Sequence, residues 1–145
     1  VQIGAEIFHQ LKKVLSAKGF ATSVGDEGGF APNLSTNEEA ITVIMEAVTA
    51  AGYKPYDDIL IALDVAANEL LDKESGTYHL KGEGVAKTTD ELIDYYGYLI
   101  DKYPIASIED GLAEDDWSGW KKFTDKLGSK FKLLEMTYLL PIQSV

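Results

Sequence analysis

Ile59-Leu60-Ile61-Ala62-Leu63-Asp64 and, later in the chain, Ile105-Ala106-Ser107-Ile108-Glu109 decide the fold. Each is a continuous apolar run that ends in a carboxylate. Runs of this kind suit strands buried on both faces, as in parallel sheets. Between them, Thr88-Thr89-Asp90-Glu91 reads as a capping box that opens a helix with Leu92, Tyr96, Leu99, Ile100 and Tyr103 inward. Pro104 stops that helix. Strand, helix, strand in this order predicts an α/β fold with parallel strands, with a barrel as one way of closing it.

Outward from this centre the pattern stays regular. Ile3, Ile7, Phe8, Leu11, Val14 and Leu15 predict a first helix ended by Gly19, and Thr36-Asn37-Glu38-Glu39 predicts a capping box for a second, closed by Gly52. Ser75-Gly76 marks a turn before a short outer strand at Tyr78-His79-Leu80. Asp115-Asp116 places negative charge at the start of a last helix with Trp120, Phe123 and Leu127 inward. Trp117 and Trp120, like the tyrosines, read as core or near-core packing.

Composition narrows the function classes. The 145 residues are 46% apolar and 26% charged, so global disorder is excluded and one domain, or part of one, is expected. A net charge of −11 repels phosphate backbones and makes nucleic acid a poor partner unless a cation intervenes, while being compatible with divalent metals. With no cysteine there is neither a disulfide framework nor a zinc–thiolate site. No run approaches the eighteen apolar residues of a membrane span. The chain opens on Val1 with no initiator Met and no signal-peptide core, and reads as an internal fragment.

Three acidic positions lie where chemistry is expected. The carboxyl ends of parallel strands form a common rim, and Asp64 and Glu109 both stand on it. Two carboxylates there could share one hard cation such as magnesium, or each could cap a following turn; spacing alone leaves both readings open. Glu27 lies in Gly25-Asp26-Glu27-Gly28-Gly29-Phe30-Ala31-Pro32-Asn33, where glycines permit close approach to a ligand. A carboxyl in such a loop is a candidate acid or base, although the residues by themselves favour a plain surface turn. His9 and His79 are isolated from this set.

Taken together, these segments resemble the enolases. Val24 to Asn33 is similar to that family's signature loop. Ile61-Ala62-Leu63-Asp64-Val65-Ala66-Ala67-Asn68-Glu69 resembles its first metal-ligand strand. Tyr103 to Leu112, with Asp115-Asp116-Trp117, resembles its second, and Gly111 after the Glu-Asp pair is closer to bacterial enolases than to animal ones. The resemblance covers residues 1–133 and implies part of an enolase-type, TIM-like α/β barrel from the C-terminal domain. It implies a magnesium-dependent lyase of glycolysis that interconverts 2-phosphoglycerate and phosphoenolpyruvate. Asp64 and Glu109 would be two of three magnesium ligands, and Glu27 the acid that protonates the departing hydroxyl. Glu27 and Glu109 would also contact substrate. Such sites are known to rely on a Lys or His base with one or two magnesium ions. The family further implies a homo-oligomer, cytoplasmic, with cell-surface or secreted forms as in some bacterial members.

The departures are equally specific. The third metal carboxylate, the lysine base and the arginine–serine pair that holds phosphate have no match here, so the chain on its own is expected to be inactive. The other readings are a different magnesium enzyme of the same superfamily, or a non-catalytic acidic interaction fragment. Residues 134–145 do not follow the family. One permitted coding of Leu134 to Val145, read two bases later, spells Gly-Asp-Asp-Leu-Phe-Val-Thr-Asn-Pro-Lys-Arg, the stretch that the family carries next. The expectation is a frame slip near Leu133.

Overall fold

A computed structural model of the protein describes residues 1–26, 28–131 and 138–143. Its described residues divide into two compact units, one within residues 1–59 and one within residues 60–143.

The first unit is built on two helices. α1 (Gln2–Ala17) buries Ile7 and Leu15, and α2 (Asn37–Ala50) buries Ile41, Val43, Ala47 and Val48. The two helices pack on each other. Gly19 and Gly52 follow their ends at φ 80° and 88°, a left-handed conformation that costs glycine little. The expected capping box of α2 is only half made. Thr36 accepts from the Glu39 amide at 3.0 Å, but the Glu39 carboxylate takes the Ser35 amide and hydroxyl at 2.8 and 2.7 Å. Ser35 offers two donors where Thr36 offers one amide.

The second unit holds the parallel pair. β1 (Ile59–Asp64) and β5 (Ile105–Glu109) run side by side, in register from Ala62↔Ser107 to Asp64↔Glu109 after a bulge at Ile61/Ala62. The strands are joined through α3 (Ala67–Leu70), an antiparallel sheet of β2 (Leu71–Asp72), β3 (Thr77–Leu80) and β4 (Val85–Lys87), and α4 (Thr89–Lys102). Both bonds of the Thr88–Glu91 capping box are present at the start of α4. α5 (Trp117–Leu127) follows β5, and β6 (Tyr138–Gln143) lies beside β1, giving the order β5-β1-β6. The fold is a mixed α/β, partial barrel; among the described residues no barrel closes.

The core of this unit gathers Val65, Ala67, Tyr78, Leu92, Ile93, Tyr96, Leu112, Ala113, Phe123 and Leu127. Trp120 packs at its margin, but Trp117 is 81% exposed, which corrects its reading as core. Trp117 begins α5, one turn before the helix's apolar stripe meets the core.

Candidate metal centre

Side chains alternate along a strand, so Ala62 and Asp64 share a face, and their register partners Ser107 and Glu109 stand beside them on the same face. Asp64 and Glu109 are therefore immediate neighbours at the carboxyl ends of two adjacent parallel strands, which lie about 4.8 Å apart in any sheet. The expectation that the fold brings these two together holds. Asp64 is half-buried and Glu109 exposed.

Among the described residues, Asp64 Oδ1 is buried and has no hydrogen-bond partner. Among the described residues, no lysine pairs with either carboxylate. A buried carboxylate oxygen with no donor is costly unless a cation approaches it. An oxygen-only pair at a solvent-accessible rim suits a hard divalent ion, which takes one or two carboxylates and completes its shell with water or substrate oxygens. The residues present thus fit magnesium. Among the described residues no third His, Cys, Asp or Glu joins them.

The ends of both strands are fixed by main-chain bonds. Val65 N–H donates to the Glu109 carbonyl at 3.0 Å, and Ala67 N–H to the Asp110 carbonyl at 2.9 Å. Ala66 and Asp110 both take left-handed backbone, φ 49° and 48°, which turns the chain sharply off each strand.

Beyond Glu109, residues 110–116 are held by side chains from four elements. Tyr96 of α4 donates to the Gly111 carbonyl at 2.7 Å. Tyr78 of β3 accepts from Ala113 N–H at 2.9 Å, and Asn68 of α3 accepts from Glu114 N–H at 3.1 Å. Trp120 of α5 donates to the Ala113 carbonyl at 3.0 Å. Burial raises the pKa of both tyrosines, so each stays a neutral hydroxyl; at Tyr78 the Ala113 amide pulls the other way. Gly111 is required for space, because a Cβ there would lie 3.0 Å from Ile108 Cγ2 and 3.3 Å from Phe123.

Asp116 closes the loop. It caps α5 through Gly119 N–H at 2.9 Å and accepts from Thr89 Oγ1 at 2.7 Å. Burial pushes its pKa up, but the bonds from Thr89, Gly119, Ser118 and Tyr78 outweigh that and hold it below the ordinary aspartate value. Sequence reading had assigned Asp116 only to the start of the helix, and had treated Tyr78 and Tyr96 as packing. Their hydroxyl partners are main-chain groups 15 to 35 residues away, which leave no local pattern.

In the first unit, the loop around the third acidic position closes on its own backbone. Gly25 N–H donates to Gly29 O at 2.8 Å, Gly28 N–H to Gly25 O at 3.0 Å, and Val24 bridges Phe30. Phe30 stacks on Phe8 of α1 with ring centroids 4.4 Å apart. Glu27 itself lies outside the described residues. His79 Nε2 is 3.1 Å from Thr77 Oγ1 on the outer sheet, and His9 is exposed on α1. Neither belongs to the carboxylate pair.

A comparison with protein families matches residues 1–139 to the family described as Enolase, C-terminal TIM barrel domain.

Proposed function

The chain belongs to the family of enolase C-terminal TIM barrel domains, and from that premise we propose that it carries part of the site for magnesium-dependent dehydration of 2-phosphoglycerate to phosphoenolpyruvate. The observation that carries the reading is the in-register pair Asp64↔Glu109, with its buried and unpartnered Asp64 oxygen. These two residues would hold the cation on the rim of the sheet. Magnesium, when bound, would offset the negative charge that builds on the substrate carboxylate as its α-proton leaves. Glu109, exposed at the end of its strand, is also proposed to contact substrate.

Glu27 is proposed as the group that gives a proton to the departing hydroxyl and as a substrate contact. A hydroxide is a poor leaving group, and a positioned carboxylic acid converts it to water. The surrounding Gly25–Gly29 turn is closed by its own backbone bonds, and its glycines carry no side chain to obstruct a phosphorylated substrate. Nothing in residues 1–145 matches the family's lysine base, so these residues alone are proposed not to turn substrate over. Bacterial-type ancestry, a cytoplasmic homo-oligomer and a divergent tail from residue 134 complete the reading. The tail strand β6 stands beside β1, whereas consecutive strands of a parallel barrel would put it on the free edge of β5.

The test is a graft. Residues 1–133 replace the matching segment of an active enolase, and dehydration of 2-phosphoglycerate is followed by ultraviolet absorbance of the enol product. Turnover within about tenfold of the host supports the reading, the range left for imperfect placement of catalytic groups. A folded graft with no dehydration, or one that acts on another carboxylate substrate instead, overturns it.

A further inference from the structure

We propose that Tyr78 is a positioning residue for the cation site: its buried hydroxyl sets the path of residues 110–113 and thereby the placement of Glu109. The inference rests on the reading of Asp64 and Glu109 as the cation's ligands.

Tyr78 is 1% exposed and among the largest fully buried side chains of the molecule. Its ring is packed into the core, yet its oxygen does two polar tasks. It accepts from Ala113 N–H at 2.9 Å and faces Asp116 Oδ2 at 3.4 Å. The same Asp116 oxygen accepts from Thr89 Oγ1 at 2.7 Å. One hydroxyl thus joins the outer antiparallel sheet, the first turn of α4, the cap of α5 and the loop that leaves β5. Ala113 is itself 3% exposed, so its amide has no water to turn to if the hydroxyl is removed.

The path from this hydroxyl to Glu109 is short and stiff. Asp110 is in left-handed backbone and Gly111 is crowded on three sides, so residues 110–113 have few other ways to run. The strand-end bond from Val65 N–H to the Glu109 carbonyl completes the span. A loop freed at Ala113 can relax by letting Asp110 leave its strained conformation, and that rotates the residue next to Glu109. Groups that orient a ligand without touching the metal typically change its affinity by about tenfold or more when removed. Tyr78 acts one step further out.

The experiment uses the 145-residue chain and Mn2+, followed by loss of the free-ion electron paramagnetic resonance signal at neutral pH. Tyr78→Phe keeps the ring and removes the oxygen. Its Mn2+ affinity is expected to fall about threefold to tenfold, with faster hydrogen exchange at the Ala113 amide. Ile93→Val, placed in the same core away from the loop, serves as the comparison for a general loss of stability. It should leave the affinity within about twofold, as a merely structural role would predict for both variants. Equal weakening in the two variants, or unchanged affinity in Tyr78→Phe, overturns the proposal. If Tyr78→Phe does not fold, Asp116→Asn keeps a capping side chain while making the hydroxyl's neighbour neutral, and should show the same direction with a smaller loss; parent affinity there overturns the proposal too. Absence of any Mn2+ binding that depends on Asp64 and Glu109 in the parent chain is a different result. It removes the cation-site reading, and this inference with it.

Discussion

The loop at Gly25–Gly29 and the loop at Glu109–Asp116 both combine acidic residues with glycine, but they are held in different ways. The first closes on itself, amide to carbonyl, and adds one ring stack at Phe30. The second is bonded outward at almost every residue, to α3, β3, α4 and α5. The difference matches the proposed tasks. A cation ligand must be held to a fraction of an ångström, because coordination distances vary little. A proton donor needs reach and an approach free of side chains, and its hydrogen bonds often tighten only with substrate bound.

The largest expected effect separates the two tasks. In the grafted enzyme, Glu27→Gln should lower turnover by about 10² to 10⁴, the usual contribution of a general acid, while Mn2+ affinity stays close to parental. Near-normal turnover would take the acid role away from the first loop. Weakened Mn2+ binding would erase the distinction between the loops.

Glycine substitutions probe how tightly each loop is packed. Gly111→Ala should destabilise the second unit by about 1–3 kcal/mol, since its Cβ would press on Ile108, Phe123 and Tyr96. Gly29→Ala has no heavy atom within 4 Å of the new carbon and should stay within about 0.5 kcal/mol. Urea unfolding of both variants checks this; equal effects would contradict the contrast.

Helix starts give a smaller version of the same comparison. Thr88→Ala breaks a complete capping box and should cost about 1 kcal/mol, whereas Thr36→Ala should cost about half that, because Glu39 keeps its bonds to Ser35. Thermal melts of the two variants measure it, and an equal or reversed order would refute it.

Asp116 should contribute a pH dependence on the acid side. Asp116 has a folded-state pKa below its ordinary value, so the unfolded chain binds its proton first as pH falls. Its contribution is complete above about pH 4, the ordinary aspartate range, and is lost as pH drops through the folded value. Asp116→Asn should flatten this acid limb in denaturation curves recorded between neutral pH and pH 2. An unchanged limb would show that the capping carboxylate carries no such linkage.

What could be read from the sequence follows from how locally each feature is specified. β1 and β5 were legible because each is an apolar run ended by one carboxylate, and the Thr88–Glu91 box because both partners lie within four residues. β2 and β4 left no signal; they are two and three residues long, too short to show an alternating pattern. The pairing of Asp64 with Glu109 was legible only as membership of one rim. Register came from the sheet, bulge included. Tyr78 was visible as an aromatic and invisible as a hydrogen-bonding node, since its partners are set by tertiary packing. The tail divides the same way. Tyr138-Leu139-Leu140 has the composition of a strand, but its place beside β1 could not be read from composition. Sequencing the encoding DNA tests the proposed slip near Leu133: the shifted frame should continue with the family's Gly-Asp-Asp stretch, and codons that do not encode it would exclude the idea.

The central claim is that Asp64 and Glu109 act together on one divalent cation. Its most direct test is Mn2+ titration of the 145-residue chain beside Asp64→Asn and Glu109→Gln. The account predicts one weak site in the parent that either substitution alone removes, with the secondary structure of all three proteins unchanged by circular dichroism. Binding that survives both substitutions, or that needs only one of the two carboxylates, would contradict it.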